Sequence, residues 1–137
     1  MQLNQATDYA FRAVLYLANL PQDEVVTAQT IASAEEIPMR FLLKIMRSLT
    51  HAGVVKSFRG VEGGYALAKP PAEITLLDVV EAIEGPVYIN RCLLDKEYCS
   101  KHWANRCAIH HVLGEIQSSL LEQLGSHTFA DLLKQKQ

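Results

Sequence analysis

The residues best suited to chemistry in this 137-residue chain are crowded into one stretch, RCLLDKEYCSKHWANRCAIHH, at 91–111. It holds all three cysteines, Cys92, Cys99 and Cys107, and three of the five histidines, His102, His110 and His111. Thiolates and imidazoles are ligands for soft and borderline metals. The gaps of six and seven residues between successive cysteines are not the close pairs of zinc fingers and ribbons. A loose loop of three thiolates can instead wrap something wider than one ion, as iron–sulfur clusters require, sometimes with a histidine in place of one cysteine. Cys107 and His110 stand three apart at the start of an expected helix and so share a face. His111 points elsewhere, and His102 remains a loop candidate. Free cysteines also fill cores, but Cys92 and Cys99 lie among Arg91, Asp95, Lys96, Glu97, Ser100 and Lys101, poor company for a packing side chain. A metal or cluster site is the expectation.

The odd cysteine count and the lack of a recognisable secretory leader argue against a disulfide framework. No apolar run approaches the roughly 20 residues of a membrane helix, so a cytoplasmic protein with no membrane partner is expected. An enzyme is not expected. Ser100 and His102 are neighbours without a nucleophile elbow or an orienting acid, and Asp8, Asp78 and Glu81 read as helix-surface or capping acids.

The formal charge of −2 is uninformative, but its distribution is not. Between Pro38 and Lys69 there are six basic residues, Arg40, Lys44, Arg47, Lys56, Arg59 and Lys69, against Glu62 alone, while both flanks are acidic. A local basic field on an acidic protein steers a polyanion without general stickiness, though a solvated basic face would look the same.

With 49% apolar residues the chain can bury a real core. Asn4 caps a first helix whose apolar residues, from Ala6 through Leu17, recur at helical spacing, with Pro21 beyond its end. Thr27 caps a short second helix. A third begins with Pro38 at its first position and ends at Gly53; Phe41, Leu42, Ile45, Met46 and Leu49 form its apolar stripe, and Arg40, Lys44, Arg47 and His51 its polar one. VVKSF and YALA flank RGVEGG as a hairpin with a glycine-rich tip. The expected fold class is mainly α with a small β-hairpin: a winged helix-turn-helix over residues 1–72, then cluster-binding and dimerisation helices over 73–137. Within the second part PPAEI reads as a linker, and ITLLDVVEAIEGP as a helix with a Thr75–Asp78 capping box. A long helix follows, with Ile109, Val112, Leu113, Ile116, Leu120 and Leu124 along one side and Gly125 as its stop; Thr128 and Asp131 cap a last turn. That apolar seam suits a homodimer better than an intramolecular strut, because readers of this size work as two-fold dimers on DNA half-sites.

In a helix-turn-helix the second helix lies in the major groove, which places Met39, Arg40, Leu43, Lys44 and Arg47 nearest a double-stranded operator. Arg40 could fork onto guanine O6 and N7, with Lys44 and Arg47 on phosphates. Leu43 either touches a thymine methyl or packs on its neighbours, and packing is favoured. At the wing, Arg59 suits a narrow minor groove or a phosphate, and Gly60, Gly63 and Gly64 let the backbone approach a groove wall.

MQLNQATDYAFRAVLYLA, KSFRGVEGGYALAKP, TLLDVVEAIEG and the three cysteines ending in CAIH resemble the iron–sulfur winged-helix transcription regulators typified by IscR and NsrR. The likeness covers essentially the whole chain, and its N-terminus is closer to NsrR. The wing pattern joined to three spaced cysteines is its specific part. The resemblance implies a homodimeric bacterial regulator, joined through its long C-terminal helix, whose [2Fe-2S] or [4Fe-4S] cluster senses cluster supply, nitric oxide or redox state. It implies Cys92, Cys99 and Cys107 as cluster thiolates. The fourth ligand would be His110, as in the IscR pattern, or Asp8 from the partner subunit, as in NsrR-like proteins. Two departures stand out: the cysteine gaps are longer than the family's usual ones, and Leu43 replaces a glutamate of IscR that tunes site choice. Two rivals remain, a winged-helix regulator using its cysteines for zinc or direct thiol redox, and an interaction protein that never reads DNA.

Overall fold

Asn4 opens the first helix in the computed structural model, which describes residues 2–135. Its side chain accepts the Thr7 amide at 2.9 Å, satisfying one of the donors a helix start leaves orphaned. Helix α1 (Gln5–Ala18) buries Ala10, Ala13, Val14 and Leu17. Helix α2 (Ala28–Glu35) is capped by the Thr27 hydroxyl, which accepts the Thr30 amide at 3.1 Å. Glu36 then turns the chain in the left-handed region, φ 53°.

Helix α3 (Met39–His51) takes Pro38 as its cap rather than its first residue. Leu42, Ile45, Met46 and Leu49 are buried as the periodicity requires, but Phe41, expected beside them, is 40% exposed. It sits at the margin of the stripe and meets Tyr9 of α1, ring centroids 6.3 Å apart, instead of entering the core.

The wing is an antiparallel pair, β1 (Val55–Phe58) and β2 (Gly64–Leu67), registered from Val55 opposite Leu67 to Phe58 opposite Gly64. Tyr65 also exchanges two backbone hydrogen bonds with Val26, of 3.0 and 2.7 Å, so the segment before α2 lies against the wing. A Cβ at Gly64 would collide with the Val26 carbonyl, and φ there is 154°. One at Gly63 would collide with the Phe58 carbonyl. These two glycines are required by the wing's own packing, whatever they do at a groove wall.

PPAEI is more than a linker. It forms a 3-10 turn (Pro71–Glu73) and is followed by Ile74, which is fully buried. Helix α4 (Leu76–Glu84) carries the Thr75–Asp78 capping box, with bonds of 2.9 and 3.1 Å. Its Glu84 carboxylate accepts from the Thr7 hydroxyl and, at 3.4 Å, from the Asn4 amide, fastening α4 to the start of α1.

Beyond α4 come a single turn α5 (Arg91–Leu94), a 3-10 turn (Lys96–Tyr98), α6 (Ala108–Ser126) and α7 (Phe129–Leu133). Gly125, expected as a helix stop, lies inside α6. The Thr128–Asp131 box is present, and the Thr128 backbone amide and hydroxyl hold the Asp131 carboxyl below the usual carboxylate range. The Leu76 amide donates to His127 O at 3.0 Å and the Phe129 amide to Ile74 O at 2.9 Å, bringing the end of the chain back to the start of α4. Phe129 is fully buried in one core with α1, α3, Ile74 and Val79. By contrast, Ile109, Val112 and Ile116 of α6 remain 67%, 53% and 52% exposed, whereas Leu113, Leu120 and Leu124 of the same seam are half-buried where α6 packs on α4 and α5.

Candidate DNA interface and cysteine site

Burying Leu42, Ile45, Met46 and Leu49 leaves the opposite side of α3 to solvent. Met39, Arg40, Leu43, Lys44, Arg47 and His51 are all exposed. Leu43, for which packing on neighbours was favoured, instead stands exposed among the basic residues; at i+3 from Arg40 it shares that face. On the wing Arg59 is exposed, Gly60 has φ 99°, and Val61 is completely exposed at the tip. The Lys56 ammonium lies 5.8 Å from the Phe58 ring centroid. Among the described residues the one ion pair is Asp8–Arg12, so Arg40, Lys44 and Arg47 of α3 and Lys56 and Arg59 of the wing form none, while Lys69 lines hollows that also hold Asp23, Glu24, Asp78 and Glu81. Such a face offers both phosphate contacts and base-edge donors.

The cysteines are free and half-buried. His110 Nδ1 lies 3.2 Å from Cys92 Sγ, and the Asn90 side-chain amide donates to the same sulfur at 3.3 Å. The sequence pairs His110 with Cys107 by helical spacing, whereas the structure turns it onto Cys92. Cys107 is the cap of α6 and its carbonyl accepts the His111 amide. Cys99 sits in a tight loop. The backbone amides of Trp103 and Lys101 donate toward its sulfur and, with a smaller contribution from the Lys101 charge, hold its pKa below that of an ordinary thiol. Around it the Trp103 ring is flanked by Lys101 at 4.0 Å and Arg106 at 5.3 Å, and Arg91 lies 5.0 Å from the Tyr98 centroid. These cation–aromatic pairs and the Asn90 contact had no periodic or motif signal in the sequence.

Asp8 lies elsewhere, bonded to Arg12 at 2.8 Å on the exposed side of α1. Arg12 also donates to the Glu35 carbonyl at 3.3 Å, so this pair touches the turn that leads into α3. Among the described residues no group of three or more histidines, cysteines or acids is gathered at metal-holding distance. The donors fit an iron–sulfur centre in kind, with three unbridged thiols and an imidazole already against one of them, but the single chain leaves the set open.

A helix-turn-helix with a two-stranded wing and an unneutralised basic face defines the class: a winged-helix DNA-binding regulator. Residues 3–135 match the Rrf2 family, described as an iron-dependent transcriptional regulator, and the chain belongs to that family. It is 36% identical over 133 residues to a protein of Aquifex aeolicus described as an HTH-type transcriptional regulator, covering 97% of this chain and 92% of that one. The fold is similar to that of T. potens IscR, with TM-score 0.76 and 27% identity over 98% of this chain and 87% of the other. It is also similar to that of CymR (YrzC), the global cysteine regulator of B. subtilis, with TM-score 0.74 and 27% identity over 96% of this chain and 95% of the other. The chain is thus a transcription regulator and not an enzyme. No helix among the described residues is long and apolar enough to cross a membrane.

Proposed function

We propose that the chain binds operator DNA as a homodimer and that an iron–sulfur cluster, [2Fe-2S] or [4Fe-4S], sets its affinity. Residues 1–72 would do the reading, and 73–137 would carry the ligand loop and the pairing helix, although the two share one core. The observation that carries the cluster reading is the 3.2 Å contact between Cys92 and His110. It unites a thiol and an imidazole from opposite ends of the loop, and the three-cysteine set is a cluster donor set. Cys92, Cys99 and Cys107 would be the thiolates, with His110 as fourth ligand. A cluster would supply a redox- and nitric-oxide-sensitive centre, the signal being oxidation state, nitric oxide or cluster supply.

The likeness of the N-terminus to NsrR keeps Asp8 of the partner subunit as the rival ligand. Its position favours a coupling role: Arg12 bonds both Asp8 and the Glu35 carbonyl, so whatever draws Asp8 away also loosens the hold of α1 on the turn before α3. The reading residues remain Arg40 at a base edge, Lys44, Arg47 and Arg59 at phosphates or the minor groove, with Met39, Leu43, Gly60 and Gly63 close to the duplex.

One observation favours a second reading. The lowered pKa of Cys99 suits a thiol that reacts directly, and the fold is shared with the cysteine regulator CymR. Anaerobic purification with iron and sulfide analysis, absorption and Mössbauer spectroscopy separates the two. A brown protein with stoichiometric iron and sulfide supports the cluster; a colourless one, or one holding zinc alone, supports the thiol or zinc reading. Asp8→Ala and His110→Ala, run in parallel, identify the fourth ligand by which of them loses the native spectrum.

A further inference from the structure

We infer that Phe41 aims Arg40 at the DNA, and that Tyr9 and Arg12 hold Phe41 in place from the first helix. This rests on the reading of Arg40 as a base contact. Phe41 is the one member of the expected core stripe of α3 that the fold leaves out: it is exposed while Leu42 beside it is fully buried. Neighbouring residues on a helix do not naturally face one another. Yet the Arg40 guanidinium folds back to lie 4.9 Å from the Phe41 ring centroid.

Phe41 is in turn backed by Tyr9 at 6.3 Å, and the Arg12 guanidinium lies 5.2 Å from the Tyr9 centroid. Both members from α1 are fixed by polar bonds. The Gln5 amide donates to the Tyr9 hydroxyl at 3.0 Å, and Arg12 is held by the Asp8 carboxylate and the Glu35 carbonyl. The result is one row, Arg12–Tyr9–Phe41–Arg40, anchored by hydrogen bonds at the α1 end and exposed at Arg40.

A guanidinium against a ring face keeps its donors free at its edge, which is the geometry a fork onto guanine O6 and N7 needs. An arginine already held in that pose loses less conformational freedom on binding. Phe41 is thus a positioning residue. It touches no base, yet it determines how strongly Arg40 distinguishes guanine. A hollow of about 280 Å³ beside the row, lined by Tyr9, Phe41, Ile45 and Ile83 among others, leaves room for a larger ring at position 41.

The test uses the full-length protein and the duplex it selects from a randomised pool. Each guanine of that duplex is replaced in turn by 7-deazaguanine, which lacks only the N7 acceptor. Wild type should lose about tenfold in affinity at one guanine per half-site, and Arg40→Ala should show no such loss there. Phe41→Leu and Phe41→Met should shrink the loss to about two- to threefold, while Phe41→Trp should retain it. Melting temperatures close to wild type establish that the variants fold. If the Phe41 variants keep the full guanine-specific loss, or weaken both duplexes by one common factor, the positioning inference is wrong and the Arg40 contact stands. If Arg40→Ala keeps the loss, or wild type shows none at any guanine, the base-contact reading fails and the inference goes with it.

Discussion

His110 Nδ1 lies 3.2 Å from Cys92 Sγ across 18 residues of sequence, joining the two ends of the loop that holds every cysteine. The contact links α5 to the first turn of α6. Asp8 makes no comparable contact with this loop and is instead paired with Arg12 on the same helix.

That pairing makes Asp8 informative as a variant. An i,i+4 pair whose side chains are 42% and 56% exposed contributes only about 0.3–0.5 kcal/mol. Asp8→Ala should therefore leave the urea midpoint almost unchanged. A changed cluster spectrum in that variant would report ligation rather than unfolding, and a large loss of stability would show that Asp8 does more than the ion pair accounts for.

The basic face separates into contacts that position and contacts that specify. Lys44→Ala should weaken binding about equally on all duplexes and reduce the slope of log K against log salt by about 1. Arg40→Ala should cost about 1–3 kcal/mol on the selected operator and relax preference at one base pair. Fluorescence anisotropy at several salt concentrations reads both effects. Equal behaviour of the two variants would contradict the assignment.

Phe129 should matter to the reading head although it lies at the far end of the chain. Fully buried, with its helix packed on α1 and on the Pro71–Glu73 turn, it should cost about 3–5 kcal/mol on truncation to alanine, a large share of the roughly 5–15 kcal/mol that holds a domain folded. Urea denaturation of Phe129→Ala, followed by circular dichroism, should show one transition at much lower denaturant. A separate unfolding of the last helix with the rest unaffected would show that α7 is not part of that core.

What the sequence disclosed was local. Asn4, Thr27, the Thr75–Asp78 box and the Thr128–Asp131 box were readable because a cap and its amide lie within one helical turn. RGVEGG was readable because a hairpin tip announces itself in glycines. The misreadings arose where distant segments decide. Periodicity cannot say whether Phe41, at the margin of a stripe, faces the core or a neighbouring tyrosine. Ile74 looked like linker because the chain end that covers it, at Phe129, lies beyond α6. Helical spacing offered Cys107 to His110, and only the fold of the loop brings Cys92 there instead. Gly63 and Gly64 were readable as special but not for their reason, the carbonyls of Phe58 and Val26 that leave no space for a Cβ.

The exposed seam of α6 predicts self-association. Ile116→Glu, with or without Val112→Glu, places charge among the exposed apolar residues and should convert a dimer to a monomer in sedimentation velocity, with cooperative operator binding lost as well. A variant that stays dimeric would place the pairing surface elsewhere.

Operator affinity before and after iron removal, measured on one oxygen-free preparation, tests the central claim most directly. The prediction is an affinity change of at least about 5-fold when a chelator strips iron and sulfide from the wild-type protein. A variant with Cys92, Cys99 and Cys107 all replaced by serine should carry neither and should not respond. A preparation that holds no iron and sulfide, or one whose affinity is the same with and without them, would contradict it.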